Sequence, residues 1–328
     1  MKVIIPVAGA GVELRPHSYT QPKALIPLAG NTVLGIIVDQ LKEVGLTEFI
    51  FVIGYLGDKI HHYITEKYPD ITAHFITQEN RLGVGHAVYL TNEIVAGDEV
   101  LITLGDTICE YDINAVLQNT DSMIGVRKTD HPSDFGVAEI SGDNIESVIE
   151  KPQIPKSNMA IVGIYKIKQS ALLFECLEKN IADGVVTQGQ VTITDAIDCM
   201  IEKGVTIKPF KVDNWFDAGN KESLLASNAI LIKKYGVKAG TDESEDSVII
   251  DPVSIGPGCV IKNSIVGPNV TLGENTKIER SIVSNSIIGA FTKLSDIVLT
   301  DSLIGGDTLL KGKKRILNVG ENTTIDLG

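Results

Sequence analysis

The last part of the chain carries a short aliphatic repeat. From Ile249 onward an aliphatic residue recurs every five or six positions, and glycine often follows it, as in Leu272-Gly273. A helix cannot keep such a repeat on one face, whereas a parallel β-helix with three short strands per coil places each aliphatic residue inside and glycine at the corners. The repeat therefore predicts a parallel β-helix. The repeating residues are Ile255, Ile261, Val266, Leu272, Ile278, Val283, Ile288, Leu294, Leu299, Ile304 and Leu310.

The chain before this repeat has a different pattern. From Met1 to about Gly236, short apolar runs alternate with segments of helical periodicity. That alternation is typical of a doubly wound, mostly parallel sheet flanked by helices, an α/β fold. Helices are predicted at residues 33–44 and 221–235, each followed by glycine. The predicted strands are residues 3–7, 49–53, 73–77, 100–103 and 123–126.

An acidic segment separates the two patterns. Residues 240–247, GTDESEDS, contain almost no apolar side chain, and such a composition favours a linker. The predicted organisation is therefore an α/β domain at residues 1–239, a linker at 240–247 and a β-helix at 248–328.

Composition limits the partners. The chain has 328 residues, 43% hydrophobic content and a formal net charge of −13, so DNA or RNA would be repelled over most of its surface. A small phosphorylated substrate with Mg²⁺ is compatible with this charge. No apolar stretch is long enough to span a membrane and no signal segment begins the chain. We therefore expect a cytoplasmic protein that binds neither nucleic acid nor membrane.

The cysteines and one basic cluster have simple interpretations. Four cysteines are widely spaced, without a Cys-x-x-Cys pair, and this favours buried free thiols over a zinc site or disulfides. They are Cys109, Cys176, Cys199 and Cys259. A basic cluster near the C-terminus predicts a solvated loop; it consists of Lys311, Lys313, Lys314 and Arg315.

A glycine-rich turn follows the first predicted strand. Ala8, Gly9, Ala10 and Gly11 allow the backbone to turn its amides toward an anion. Lys23 adds a compact positive charge a short distance later. The order of turn and lysine suits a triphosphate, although a tight turn alone would also explain the glycines.

Residues 6–30 resemble the signature of the sugar nucleotidyltransferases, Gly-x-Gly-Thr-Arg-Leu-x-Pro followed by Pro-Lys-x-Leu. The chain departs from that signature at Val12 and Glu13, where the family has Thr-Arg. A carboxylate thus replaces the arginine expected to grip the triphosphate. Arg15, two residues later, is a candidate catalytic replacement or a surface arginine. The matching residues are Gly9, Gly11, Leu14, Pro16, Pro22, Lys23 and Leu25.

The resemblance also implies a Mg²⁺ site. Asp106 follows the predicted strand 100–103 and should emerge at the carboxyl edge where open α/β sheets bind ligands; it is similar to the family's metal-binding aspartate, although an aspartate there could also cap a turn. Asp217, in Trp215-Phe216-Asp217, resembles the second. Two carboxylates with phosphate oxygens are the ligands that Mg²⁺ prefers, while Trp215 is expected to pack.

Further motifs resemble the family's base and sugar segments. Base recognition is implied for Gln78 and Gly83, because a side-chain amide can both donate to and accept from a pyrimidine edge. Sugar contacts are implied for Glu150, Asn158, Gly163 and Gln190, the last of which stands where the family has glutamate. Lys151 is implied to pair with the sugar phosphate as a catalytic cation.

These observations lead to one expected function and two alternatives. The resemblance implies Mg²⁺-dependent transfer of a nucleotidyl group, with dTTP or UTP favoured, to a sugar 1-phosphate. Glu13 and the neutral Gln190 favour the first alternative, an impaired paralogue that binds nucleotide and regulates a catalytically active partner.

The C-terminal repeat resembles the left-handed hexapeptide-repeat β-helix, which many acyltransferases share. Their usual base is a histidine, but all six histidines of this chain precede the linker, and this disfavours an acyltransferase, the second alternative. We expect the β-helix to build a homo-oligomer, because regular faces can pack against those of another subunit.

Overall fold

The fold was analysed in a computed structural model that describes residues 1–237 and 244–312. The chain forms two compact units. The first comprises Met1–Ile26 and Asn31–Ser227, and the second comprises Pro27–Gly30 with the chain from Asn228 onward. The division thus falls inside the last helix, upstream of the predicted linker.

The secondary structure before Ser244 alternates strands and helices. The strands are β1 (Lys2–Pro6), β2 (Pro27–Leu28), β3 (Asn31–Thr32), β4 (Glu48–Ile53), β5 (Thr72–Thr77), β6 (Val100–Thr103), β7 (Thr107–Glu110), β8 (Ser122–Lys128), β9 (Val137–Ser141), β10 (Asn144–Ile149), β11 (Met159–Ile167), β12 (Ile207–Lys211) and β13 (Asn214–Asp217). The helices are α1 (Val33–Glu43), α2 (Gly57–Lys67), α3 (Val84–Tyr89), α4 (Asn92–Val95), α5 (Ile113–Gln118), α6 (Ser170–Ala182), α7 (Ile193–Glu202) and α8 (Lys221–Tyr235). All the strands and helices predicted from sequence in this region are confirmed, with bounds that shift by two residues at most.

A sheet in the order β10-β9-β11-β6-β1-β4-β5 forms the centre of the first unit. β1 lies between β4 and β6 and pairs with both in parallel, and β4 pairs in parallel with β5. The side chains of Val3, Ile4 and Ile5 are fully buried, as expected for a parallel strand covered on both faces. The predicted Rossmann-like α/β fold is therefore confirmed.

The other half of this sheet contains mostly antiparallel pairs. β11 runs antiparallel to β6, β8 and β9, and β9 pairs with β10 in the same sense. The β9–β10 connection is a tight turn at Gly142 rather than a helical crossover, and a tight turn can join only antiparallel strands. The sheet is thus mixed, and beyond β11 one further parallel pair joins β8 to β12.

The second unit contains short strands stacked in three parallel sheets. One sheet has the order β14-β17-β20-β23-β26, the second β15-β18-β21-β24 and the third β16-β19-β22-β25. These strands are β14 (Ser244–Glu245), β15 (Val248–Ile249), β16 (Val253–Ile255), β17 (Val260–Lys262), β18 (Ile265–Val266), β19 (Val270–Leu272), β20 (Lys277–Glu279), β21 (Ile282–Ser284), β22 (Ile287–Ile288), β23 (Lys293–Ser295), β24 (Val298–Thr300), β25 (Leu303–Ile304) and β26 (Leu309–Lys311). This arrangement is the left-handed parallel β-helix predicted from the repeat.

The predicted aliphatic repeat forms the core of the β-helix. In one sheet Ile261, Ile278, Leu294 and Leu310 are stacked in direct register, and the other repeat residues stack in the same way in the remaining two sheets. The corner glycines allow close stacking of coils, since a Cβ on Gly273 would lie 2.4 Å from the nitrogen of Ala290.

Three other predictions have different outcomes. The predicted linker overlaps β14, because Ser244–Glu245 pair with β17, while residues 240–243 lie outside the described residues. Lys311 ends β26 rather than lying in a loop, and Lys313, Lys314 and Arg315 fall outside the described part. All four cysteines are free and all but Cys199 are buried.

No helix among the described residues is long and apolar enough to cross a membrane.

The outer face of the second sheet carries a row of aliphatic side chains. Val248, Ile265, Ile282 and Val298 are in register on successive coils, and three of them are exposed. The row is a surface on which the expected homo-oligomer could form, and self-association stays a prediction.

We predict that Ile278→Ala destabilises the β-helix. The Ile278 side chain is fully buried between neighbouring coils, and loss of such a side chain costs about 2–5 kcal/mol. The neighbouring Lys277→Ala, at an exposed position, should change stability by less than about 0.5 kcal/mol. Urea unfolding followed by circular dichroism measures both changes, and equal losses would contradict the stacked core.

Candidate active site

The carboxyl ends of the parallel strands meet at one edge of the sheet. Two adjoining cavities of about 420 and 330 Å³ open at this edge. Such an edge, beside the point where strand order reverses around β1, is where open α/β sheets bind ligands. We call the larger one the nucleotide cavity, because the predicted nucleotide-binding residues line it, and the other the second cavity. Four residues line both cavities: Val84, Leu104, Asp106 and Gln190.

The nucleotide cavity, the larger of the two, is lined by all the residues that sequence assigned to nucleotide binding, together with Lys23. They come from four different segments of the chain, and the fold brings them to one wall. These residues are Ala8, Gly9, Ala10, Gly11, Lys23, Gln78, Gly83 and Asp106.

The loop after β1 presents unpaired backbone amides to the nucleotide cavity. Within the described residues, the amides of Ala8, Gly9, Ala10 and Gly11 donate no intramolecular hydrogen bond. Gly11 has φ +59°, and a Cβ there would lie 2.9 Å from the Cβ of Lys23, so glycine permits both the turn and the approach of the lysine. A row of free amides beside a cation can bind an anion.

An ion pair joins Lys23 to the end of β6. The Lys23 Nζ donates to Asp106 Oδ2 at 2.6 Å, and Thr107 Oγ1 donates to Asp106 Oδ1 at 3.1 Å. Both carboxylate oxygens of Asp106 are therefore held in place.

Asp217 lies close to Asp106 because β13 pairs with β7, where Asp217 is opposite Thr107. Burial, followed by repulsion from Asp106, raises the pKa of Asp217. Among the described residues no group of three or more His, Cys, Asp or Glu side chains could hold a metal ion. A cation at this point would therefore rest on two carboxylates and take its other oxygens from a ligand.

Gln78 follows β5 and is 6% exposed. Its Nε2 donates to the carbonyl of Gly83 at 3.0 Å and lies 3.0 Å from His86 Nδ1. Burial lowers the pKa of His86, so a neutral ring can accept this bond through Nδ1. The amide hydrogens are thus engaged within the protein, and Oε1 is the atom of Gln78 that can accept from a ligand.

The second cavity is lined by most of the residues that sequence assigned to sugar binding. It contains Glu150, Lys151, Gly163, Gln190 and Asp217. Three further lining residues carry polar groups: Tyr165, Thr194 and Trp215.

Three polar residues of the second cavity, Glu150, Lys151 and Tyr165, each interact with a neighbouring group. Thr194, in the first turn of α7, donates to Glu150 Oε2 at 2.7 Å. Lys151 adopts φ +40°, a left-handed conformation that is uncommon outside glycine, and its amide donates to the Phe135 carbonyl at 3.1 Å. Burial, then the charge of Glu150, raises the pKa of Tyr165, so this phenol is a neutral donor.

Trp215 packs through its ring and also has an indole N–H that can donate a hydrogen bond. Its ring stands edge-on to Phe135, with centroids 4.6 Å apart. The indole nitrogen is buried and has no hydrogen-bond partner among the described residues, an arrangement that normally costs stability. A ligand in the second cavity could accept this hydrogen bond.

Two of the predicted site residues lie outside both walls. Arg15 is exposed, its guanidinium carbon lies 5.0 Å from the centre of the Tyr19 ring, and it lines neither cavity. Asn158 is also exposed, and its carbonyl accepts from the Thr129 amide at 2.9 Å. Arg15 is stacked on Tyr19 instead, and Asn158 directly precedes β11.

One charged residue of the nucleotide-cavity wall was missed from the sequence. Arg81 lies between Gln78 and Gly83 and lines the nucleotide cavity. The only available signal was its position in the segment assigned to base recognition, since a lone arginine in a polar loop is usually a surface residue.

The pattern of the family described as nucleotidyl transferase matches residues 2–234. The chain belongs to this family. It is 30% identical over 318 residues to Agl11 of Haloferax volcanii, a low-salt glycan biosynthesis nucleotidyltransferase, covering 88% of this chain and 87% of that protein. It is 32% identical over 334 residues to the bifunctional protein GlmU of Methanococcus maripaludis, covering 88% and 78%.

A solved structure has the same fold. A Bacillus anthracis protein assigned as a glucose-1-phosphate thymidylyltransferase, crystallised with sucrose, superimposes with a TM-score of 0.62 and 26% identity. The match covers 73% of this chain and 97% of that protein.

We predict that Gly163→Ala is more destabilising than Gly97→Ala. Both glycines have φ +85°, but a Cβ on Gly163 would lie 2.5 Å from Leu104 Cδ1, while Gly97 has no neighbour within 4 Å. The shared left-handed conformation costs about 1–2 kcal/mol for alanine, and the overlap at Gly163 should add about 1–3 kcal/mol. Denaturant unfolding compares the two variants. Equal losses would show that Leu104 gives way freely.

Proposed function

We propose that this protein transfers a nucleotidyl group from a nucleoside triphosphate to a sugar 1-phosphate, which yields a nucleotide sugar and pyrophosphate. The observation that carries the proposal is the pair of adjoining cavities with Asp106 in the wall of both. One cavity has free backbone amides for phosphates, and the other has carboxylate, amide and phenol groups for a polyhydroxylated ligand. Membership of the nucleotidyl transferase family supports the same reaction.

In this reaction an oxygen of the sugar phosphate attacks the α-phosphorus of the triphosphate. A new phosphorus–oxygen bond forms, and the bond to the bridging oxygen of the β-phosphate breaks with its electrons going to pyrophosphate. The proposed task of the protein is to align the two groups and to stabilise charge. Lys151 would accompany the attacking phosphate in the second cavity, and Lys23 with the loop amides would hold the triphosphate.

The cofactor in this proposal is Mg²⁺. The donor set fits a hard cation, because Asp106 and Asp217 offer carboxylate oxygens beside the cavity that would hold the phosphates. When bound, Mg²⁺ would neutralise phosphate charge and polarise phosphoryl oxygens. Lys23 also contributes, because it lowers the pKa of Asp217 against the effects of burial and Asp106 and so favours the ionised ligand.

The proposed nucleotide is UTP or dTTP. With its amide hydrogens bound to Gly83 and His86, Gln78 offers Oε1 as an acceptor. The imide N–H of uracil or thymine donates to such an acceptor, whereas the equivalent ring nitrogen of cytosine is itself an acceptor. The likeness to the assigned Bacillus anthracis thymidylyltransferase supports this choice.

The proposed sugar 1-phosphate would lie in the second cavity. Glu150, oriented by Thr194, can accept from sugar hydroxyls, and Gly163 leaves room at the wall that Leu104 completes. The unpaired indole N–H of Trp215 would donate to a hydroxyl or phosphate oxygen. Gln190, in both walls, would contact the sugar without adding charge.

The test of the proposed function is pyrophosphate release with Mg²⁺ from UTP, dTTP, CTP, ATP and GTP, each with a panel of sugar 1-phosphates. The wild type should turn over at least one pair. Lys23→Met should lower kcat/KM by roughly 10²–10³ because a phosphate-binding cation is lost. Lys42→Met is the matched control, since Lys42 pairs with Asp70 outside both cavities.

Glu13→Arg completes this experiment. Turnover by the wild type shows that the carboxylate at residue 13 is compatible with catalysis. Turnover by Glu13→Arg alone, with none in the wild type, would contradict the proposal and favour the regulatory paralogue considered from the sequence.

We predict that Gln78→Leu reduces the preference for uracil or thymine. Removal of the Oε1 acceptor should lower kcat/KM for UTP or dTTP by roughly 10- to 100-fold, because an imide N–H is left unpaired. Gln118→Leu is the matched control, since Gln118 is an exposed residue of α5 that lines neither cavity. Competition assays with mixed triphosphates measure the preference. An unchanged preference in Gln78→Leu would contradict base recognition by this residue.

A further inference from the structure

Without Arg81, the charged side chains of the nucleotide-cavity wall would carry no net positive charge. The wall contains only three charged side chains among the described residues: Lys23, Arg81 and Asp106. Lys23 is 2.6 Å from Asp106, so it shares its charge with that carboxylate. A nucleoside triphosphate brings several negative charges, and Arg81 is a second cation of the wall that can meet them beside Lys23.

The loop of residues 8–11 contains no cationic side chain. Glu13, two residues after this loop, adds a carboxylate. Arg15 is stacked on Tyr19 outside the wall. A second cation for the nucleotide, beside Lys23, would therefore come from another segment of the chain.

Arg81 is available for this role. It is exposed and forms no ion pair with any carboxylate among residues 1–237 and 244–312. Its guanidinium carbon lies 5.6 Å from the centre of the Tyr55 ring. Stacking on an aromatic face leaves the in-plane N–H donors of arginine free to bind phosphate oxygens.

Tyr55 is itself held in place. It follows β4, and its hydroxyl donates to the Tyr19 carbonyl at 3.0 Å. The parallel strands β4 and β5 bring Tyr55 and the segment with Arg81 to the same edge. Tyr55 is thus a positioning residue that limits the rotamers of Arg81 beside the cavity.

We propose that Arg81 binds the phosphates of the nucleoside triphosphate and stabilises the charge that develops on pyrophosphate as it leaves, with Tyr55 orienting its guanidinium. This inference rests on the proposed function and names the residue that supplies the missing cation. The arginine is carried by the same segment as Gln78, so the base and the phosphates would be bound by one stretch of chain.

The experiment measures binding of thymidine, dTMP and dTTP with Mg²⁺, without sugar phosphate, by isothermal titration calorimetry. Arg81→Gln should weaken dTTP binding by roughly 10- to 100-fold, as expected for lost hydrogen bonds to a charged group, and leave thymidine binding unchanged. Arg15→Gln is the matched control, because Arg15 is also an exposed arginine stacked on a tyrosine; it should change dTTP binding by less than about twofold.

Tyr55 is tested by the same titration. Tyr55→Leu should weaken dTTP binding in the wild-type background and have no effect in Arg81→Gln, since it acts through the arginine. Tyr55→Phe keeps the ring and should restore most of the affinity. An effect of Tyr55→Leu that persists in Arg81→Gln would overturn the positioning role.

The outcomes separate the two proposals. Equal losses for thymidine and dTTP in Arg81→Gln would mean that Arg81 stacks on the base, and they would overturn phosphate binding. Unchanged dTTP affinity in Arg81→Gln overturns this inference alone. A wild type that binds none of UTP, dTTP, CTP, ATP and GTP with Mg²⁺ overturns this inference and the proposed function together.

Discussion

The site depends on the parallel pairing of β1 with β4 on one side and β6 on the other. Parallel strands bring their carboxyl ends to one edge, so the loops that follow β1, β4, β5 and β6 must meet there. The backbone amides, Tyr55, Gln78 and Asp106 come from these four loops. A slip in register would move the carboxyl ends of these strands past one another and separate these groups.

The second half of the site is added by strands of opposite direction. β11 is antiparallel to β6, and the Leu104 amide donates to the Gly163 carbonyl at 3.1 Å, so the end of β6 lies beside the middle of β11. The β7–β13 pair then carries Asp217 to Asp106. The mixed sheet thus places groups separated widely in sequence on both sides of one aspartate.

Sequence patterns could predict the elements because buried strands, helix faces and the β-helix repeat each leave a period in the residues. The same patterns could not predict side-chain direction. Arg15 and Arg81 are both single arginines in polar loops and both lie against a tyrosine, yet only Arg81 lines the nucleotide cavity. The engagement of the Gln78 amide by Gly83 and His86 likewise depends on tertiary contacts.

The vertical register of the β-helix limits how such a chain can change length during evolution. Ile261, Ile278 and Leu294 point inward, and each lies directly above the next. Deletion of one residue within a strand would shift the rest of that strand and expose aliphatic groups. A turn can absorb such a change, since Ile261 and Ile278 are 17 residues apart and Ile278 and Leu294 are 16. Removal or addition of a complete coil also preserves the stack, because each coil contacts only its neighbours. Natural length variation in this part should therefore occur as whole coils or as single residues in the turns.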